Sequence, residues 1–261
     1  DSSTNTCFNI GIGYSAGANL NGNFACYNVL MGHKAGNAIT IGGNNIAIGC
    51  DAAALMTEGA CNIAIGKKAL GKCTVTASNN IAIGCLAGQQ ITSGNTNILI
   101  GNYAGGQSTD AYENIFLGNS AGGYVSGAAN KNIALGHCAG YRMTTGRFNI
   151  MLGNCTAKDG LLSGDDNFIV GRQSGLALTS GTDNIILGQE AGRNISAASN
   201  NVWIGKGAGK CSICQNNVFL GELAGRGGSS VIANNTTNCS VAIGREALCL
   251  VTNGSNNTAL G

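Results

Sequence analysis

Residues Asn79–Gly88 read NNIAIGCLAG, and the phrase returns with small changes along the whole chain. NNIAIGCDAA begins at Asn44, NILIGNYAG at Asn97 and NIILGQEAG at Asn184. With the Gly that closes each N-I-x-I-G as anchor, 15 units run from Gly13 to Gly261. Most successive anchors lie 17 or 18 residues apart; the exception that stands out is 23, between Gly221 and Gly244. A period held from end to end reads as a single repeat domain over residues 1–261, with an irregular longer loop at 226–239.

Seventeen residues are too few for two helices and their turns. Ile alternating with a small residue is the period-two signal of a strand, and the Gly-rich punctuation between strands supplies turns. A unit this short cannot bury its own apolar side, so it must stack on like neighbours. The expected fold is all-β: a parallel β-solenoid, or β-roll, of about 15 coils of about 17 residues, forming a rod.

The columns of the repeat refine this expectation. Three residues before the anchor, 14 of 15 side chains are Ile, Val or Phe; one before it, all 15 are aliphatic. These two columns share a face of the strand and are read as the core ladder: Ile46, Ile48, Ile63, Ile65, Ile81, Ile83, Ile98 and Ile100 are its clearest members. Asn stands four before the anchor in 14 of 15 units, with Ser240 the exception. Asn45, Asn62, Asn80, Asn97, Asn114, Asn132 and Asn149 are therefore expected to form a ladder at a turn, with amides bonded coil to coil. Three after the anchor, 12 of 14 residues are Ala, which points to a narrow part of the core.

The residue between the two aliphatic columns must then face away from that core. It is never charged, and it includes Leu30, Leu99, Phe116, Met151, Ile169, Ile186, Trp203 and Phe219. An outward apolar stripe normally marks an interface, so these eight are read as the contact with further copies of the chain in a closed symmetric oligomer.

Composition narrows the function. There are 43 Gly and no Pro among 261 residues, and 44% of the chain is hydrophobic, against the pattern of disorder. Only 10% is charged and the formal net charge is +2, which gives no electrostatic reason for nucleic acid binding. No apolar run reaches the roughly 18 residues of a membrane-spanning helix, so no membrane insertion is expected.

The phrase N-I-A-I-G-x-x-A followed by T-x-G-x-x-N resembles the YadA-like head repeats of trimeric autotransporter adhesins. SVAIGREALCLVTNGSNNTALG, Ser240–Gly261, is similar also to related repeats of phage tail fibres. The resemblance implies a left-handed β-roll, three rolls side by side as a homotrimer, and a stalk or adhesive head. Twelve Cys are unusual for a chain that crosses an outer membrane unfolded, and favour a virion fibre.

Candidate chemistry is sparse. Cys138 and Cys155 occupy one column in adjacent coils, close enough for a disulfide by distance. Cys211 and Cys214 form a lone CxxC without a second pair. His33 and His137 follow their anchors directly and read as surface residues. A broken column of Thr (Thr40, Thr57, Thr92, Thr109, Thr144, Thr179, Thr252) is too narrow for a flat ice-binding array. Twelve acidic residues scattered over 15 coils do not cluster as glycan-cleaving carboxylates do.

The expectation is therefore a structural or adhesive fibre segment, not an enzyme, with no catalytic residue, metal or cofactor. It belongs to a phage tail fibre or similar appendage, at the virion surface or otherwise extracellular or on a cell surface. The partners expected are the chain itself and a host-surface glycan or protein. The alternatives are an extracellular filament, an autotransporter-type adhesin stalk and, further off, an ice-binding solenoid.

Overall fold

A computed structural model of the chain describes residues 7–21, 24–127, 129–211, 215–227, 238–251 and 254–261. The fold is a parallel β-solenoid, and no helix forms among the described residues. The chain divides into two compact units, Asp1–Ala128 and Ala129–Gly261. The first holds β1 (Ile10–Ile12), β2 (Val29–Met31), β3 (Ile46–Ile48), β4 (Ile63–Ile65), β5 (Ile81–Ile83), β6 (Ile98–Ile100), β7 (Ile115–Leu117) and the two-residue β8 (Tyr124–Val125). The second holds β9 (Ile133–Leu135), the two-residue β10 (Arg142–Met143), β11 (Ile150–Leu152), β12 (Phe168–Val170), β13 (Ile185–Leu187), β14 (Val202–Ile204), β15 (Val218–Leu220), β16 (Val241–Ile243) and β17 (Thr258–Leu260).

Each N-I-x-I-G phrase contributes one three-residue strand, and like positions stack in register. Ile63, Ala64 and Ile65 pair with Ile81, Ala82 and Ile83 in the first unit. Ile185, Ile186 and Leu187 pair with Val202, Trp203 and Ile204 in the second. The turns also bond from coil to coil: Leu86 N–H donates to the Lys67 carbonyl at 2.9 Å and Gly88 N–H to that of Ala104 at 2.9 Å. With donors used at strand and turn alike, the chain has little room for Pro.

The direction of the strand side chains is the reverse of the expectation. The central residue points inward and the two flanking residues point out. Leu30, Leu99, Phe116, Met151, Ile169, Ile186, Trp203 and Phe219 are core, none more than 1% exposed, and so do not form an oligomer interface. Ile46, Ile48, Ile63, Ile65, Ile81, Ile83 and Ile98 are half-buried and Ile100 is 36% exposed, so this ladder lies on the outside. The period of two is the same either way; only the face is exchanged.

The reason is the width of the coil. Three columns carry its apolar interior: the central strand residue, the Ala three after the anchor, and a third wall of Ile39, Met56, Val75, Ile91, Val125, Met143, Leu162, Leu178 and Ile195. All nine residues of that wall are at most 1% exposed. A lumen this narrow admits one strand side chain per coil. Where that side chain is large, the residue four after the anchor is Gly or, beside Met151, Ala157: a Cβ on Gly122 would run into the Phe116 ring, and one on Gly209 into Trp203. Where it is Ala, the same position can hold Leu, as in the pairs Ala64 with Leu70 and Ala242 with Leu248. The two positions are never both large, and where both are small, as at Ala82 and Gly88, Leu70 and Leu99 of the adjacent coils fill the space, as close packing demands.

The anchor Gly has a separate necessity. Gly66 sits at φ +127°, and a Cβ there would stand 2.5 Å from the Gly84 carbonyl oxygen. Neither the dihedral nor the gap admits a side chain.

Candidate interaction surface

The outer face of the strands is built from the two columns that flank the central residue. In the first unit it presents Ile10 and Ile12 (53% and 55% exposed), Met31 and Ile100; in the second Phe168, Ile185 (40%), Ile204 and Ile243. No member of either column is charged. β-branched side chains suit a pleated strand, and coil-to-coil stacking shields part of each side chain while leaving its tip in water.

One edge of this face is closed by a buried ladder of Asn. Asn45 illustrates the geometry. Its backbone N–H and its side-chain Nδ2 both donate to Oδ1 of Asn28, at 2.9 and 3.1 Å, and Nδ2 also donates to the Gly59 carbonyl at 2.8 Å. Asn62 repeats this on Asn45, Asn80 on Asn62 and Asn97 on Asn80. In the second unit Asn149, Asn167, Asn184, Asn201 and Asn217 continue the series from Asn132. Asn114 is buried in the same column. At Ser240 the hydroxyl takes over as acceptor, from the Asn257 backbone N–H at 3.2 Å. The left-handed residue is not this Asn but the one before it: Asn79, Thr96 and Phe148 have φ near +60°. Asn is selected here for its amide, which satisfies neighbours that no water reaches.

The Thr column is engaged internally as well. Thr40, Thr92 and Thr179 hydroxyls donate to the carbonyls of Thr57, Thr109 and Ser196 at 3.1, 3.2 and 2.9 Å. At the two departures from the Ala column, Thr156 donates to the Gly171 carbonyl at 2.7 Å and Ser174 to that of Ala191 at 3.3 Å.

Thiols occupy varied places. Cys7 and Cys26, of adjacent coils, form a disulfide that the sequence reading did not single out, with Cα atoms 4.6 Å apart. Cys138 and Cys155 are free thiols, which corrects the pairing considered above. His137 lies against both: Cys138 Sγ is 3.6 Å from Nε2 and Cys155 Sγ 4.0 Å from Nδ1. Burial, with Cys155 next, raises the pKa of Cys138. Of the CxxC pair, Cys214 lies outside the described residues, as do Thr252 and most of the loop at 226–239.

Among the described residues no charged side chain lies in a three-residue strand. Glu190 meets Lys210 and, at 3.9 Å, Arg193. A hydrogen bond from Lys210 is the main cause holding the Glu190 carboxyl below its ordinary value. In the first unit Lys34, Asp51, Lys68 and Lys72 are among the residues lining an open cavity of about 360 Å³. Beside it, His33, Cys50 and Asp51 bring one nitrogen, one sulfur and one carboxylate together.

The third wall of the core escaped the sequence reading. In most coils it lies seven residues after the anchor, but at Val75 and Leu162 it lies nine after, because those coils are longer there. Counted back from the next anchor, nine residues before Gly84 and Gly171, these two fall in line with the Thr column. Isolated parallel bridges pair Val75 with Met56 and Leu162 with Met143, which fixes the true alignment.

No protein-family model matches the chain, and no curated protein matches it.

Proposed function

We propose that this chain is a structural or adhesive fibre segment whose copies associate side by side as a homotrimer. In this reading it forms part of a phage tail fibre or a similar surface appendage, at a virion or cell surface. The observation that supports it is the pair of outer aliphatic ladders, uncharged from coil to coil and still a third or more exposed at Ile100, Ile185 and Ile204. Continuous apolar surface of this kind is normally covered by another chain. A closed symmetric oligomer covers it without leaving an open end for further growth. Threefold symmetry follows the resemblance to YadA-like and tail-fibre repeats. The proposed role is mechanical and adhesive, with turns and loops left free to meet a host glycan or protein.

Sedimentation equilibrium tests the reading. A trimer gives three times the chain mass of 26.1 kDa, and the double variant Ile100→Lys, Ile185→Lys gives monomer with unchanged circular dichroism. A parent chain that is monomeric at high concentration overturns it.

A second reading, adsorption to an ice surface, is favoured by the regular recurrence of like side chains on the outer face. It expects thermal hysteresis from the monomer, abolished by the same two lysines. The Thr hydroxyls contribute little to it, because they already donate to carbonyls of the next coil.

A further inference from the structure

Two coils of the first unit bring three good metal ligands together on the surface. His33 follows the anchor Gly32, and Cys50 and Asp51 follow Gly49, so coil stacking sets the ring beside the thiol and the carboxylate. The register is pinned by the backbone, where Asp51 N–H donates to the His33 carbonyl at 2.9 Å. His33 Nδ1 lies 3.9 Å from Cys50 Sγ and 3.9 Å from Asp51 Oδ1. Cys50 Sγ is 3.7 Å from Asp51 Oδ2. On the ring, Tyr14 stacks with centroids 5.6 Å apart and planes 14° from parallel.

These separations are slightly wider than those of a chelate. A tetrahedral Zn²⁺ with bonds of about 2.0–2.3 Å holds its ligands roughly 3.3–3.8 Å apart. Small rotations about the side-chain bonds bring the three atoms to that spacing. Nitrogen, thiolate and carboxylate together suit a borderline-soft ion such as Zn²⁺ or Co²⁺ rather than Ca²⁺ or Mg²⁺, which take oxygen alone.

The other His of the chain supplies an internal contrast. His137 also touches two thiols, but it turns opposite ring nitrogens to them, Nε2 toward Cys138 and Nδ1 toward Cys155. One ion cannot take both. At His33 a single nitrogen faces both partners.

We propose that His33 Nδ1, Cys50 Sγ and the Asp51 carboxylate bind one Zn²⁺ per chain, with water in the fourth position. On binding, the Cys50 thiol gives its proton to solvent, the Zn–S bond forms, and no electron is transferred. The ion then links two successive coils through their turns.

Co²⁺ titrated into the full-length protein, reduced with a thiol-free phosphine, tests the site. One equivalent should bind, with a thiolate-to-cobalt charge-transfer band and tetrahedral ligand-field bands, all displaced by Zn²⁺. Cys50→Ser should remove the charge-transfer band. His33→Ala and Asp51→Asn should each weaken binding by about tenfold or more, at least the loss seen when a ligand's supporting group is removed. The double variant His137→Ala, Cys155→Ser should leave the spectrum unchanged. In the unaltered protein, Zn²⁺ should slow alkylation of Cys50 and leave the exposed Cys61 unaffected. Absence of the charge-transfer band, its survival in Cys50→Ser, its loss in the His137 variant, or equal alkylation of Cys50 with and without Zn²⁺ overturns the proposal.

Discussion

Leu99 and Ile100 are chain neighbours in one strand, both aliphatic and of equal volume; Leu99 is sealed inside its coil and Ile100 is 36% exposed. The same division holds in every strand that packs between neighbours. The inner column varies from Ala to Trp, and the residue four after the anchor is never large where the inner one is. The outer columns vary little, with mostly Ile, Leu and Val throughout. A core tolerates different shapes provided the volume closes locally. A ladder on a stacked surface repeats because each side chain packs on its own counterpart one coil away. Uniformity therefore marks the outside here and variation marks the inside.

The largest expected effect separates the two faces directly. Leu99→Asp places a carboxylate in a dry lumen with no partner, a change in the class that costs more than about 4 kcal/mol. Ile100→Asp leaves the carboxylate in water and should keep the fold while weakening association. Urea unfolding followed by circular dichroism compares them. Equal loss of stability in the two variants would break the division.

Aromatic truncation sharpens it. Trp203 is fully buried and stacks on Phe219 with centroids 6.2 Å apart. Trp203→Ala should cost about 3–5 kcal/mol, whereas Ile204→Ala, next to it but outside, should cost under about 1.5 kcal/mol in the monomer. The midpoint of denaturant unfolding at a concentration below association reads the difference. A larger loss at Ile204 would place the core back on the outer columns.

Between the faces lies the Asn ladder, and there the cost is one of unmet hydrogen bonds. Asn62→Ala removes the acceptor used by both the backbone N–H and the amide of Asn80, at 3.0 and 3.3 Å. Stranding buried donors costs about 1–3 kcal/mol. Asn62→Ser should cost less, since Ser240 already accepts from the next coil in the same column. Thermal melts of the two variants rank them. If Ser were as damaging as Ala, the ladder would be acting through shape and not through its acceptor.

These contrasts show how much of the fold the residues disclose. The repeat, its strands, its parallel stacking and the small Ala wall can all be read from NNIAIGCLAG and its copies, because each rests on spacing alone. The direction of the strand cannot, because alternation has no sign when both faces are apolar. Two bulky columns look like a core and one mixed column looks like a surface. The signal that bears on it is an exclusion inside the coil: Leu70 and Leu248 occur only where the central residue is Ala64 or Ala242, and only Gly or Ala stands where it is large, as Gly122 with Phe116 and Gly209 with Trp203. Only side chains that share a lumen need to avoid being large together. The His33, Cys50 and Asp51 cluster was hidden for another reason. Its residues are 17 or 18 apart, too far for any local motif, and they meet only once the coils are aligned.

The smallest expected effect belongs to the charged turns, where solvent screens what the lumen would magnify. Glu190 has its carboxyl held below the ordinary value of 4.5, chiefly by the hydrogen bond from Lys210. A depressed folded-state pKa stabilises the fold above the unfolded value, and that stability is lost as pH falls through the folded value. The loss should therefore appear only below about pH 4.5, the unshifted value. For partly exposed groups it should amount to about 1 kcal/mol or less. Lys210→Met should remove most of that acid-limb dependence while leaving stability near neutral pH within about 1 kcal/mol of the parent. Melts from pH 7 to pH 3 in low salt, with Lys206→Met as a control on the more exposed pair to Glu222, measure it. An acid limb equally steep in Lys210→Met would show that Glu190 gains its stabilisation elsewhere. A Lys210 effect as large as that of Leu99→Asp would mean that this turn, too, is inside the coil.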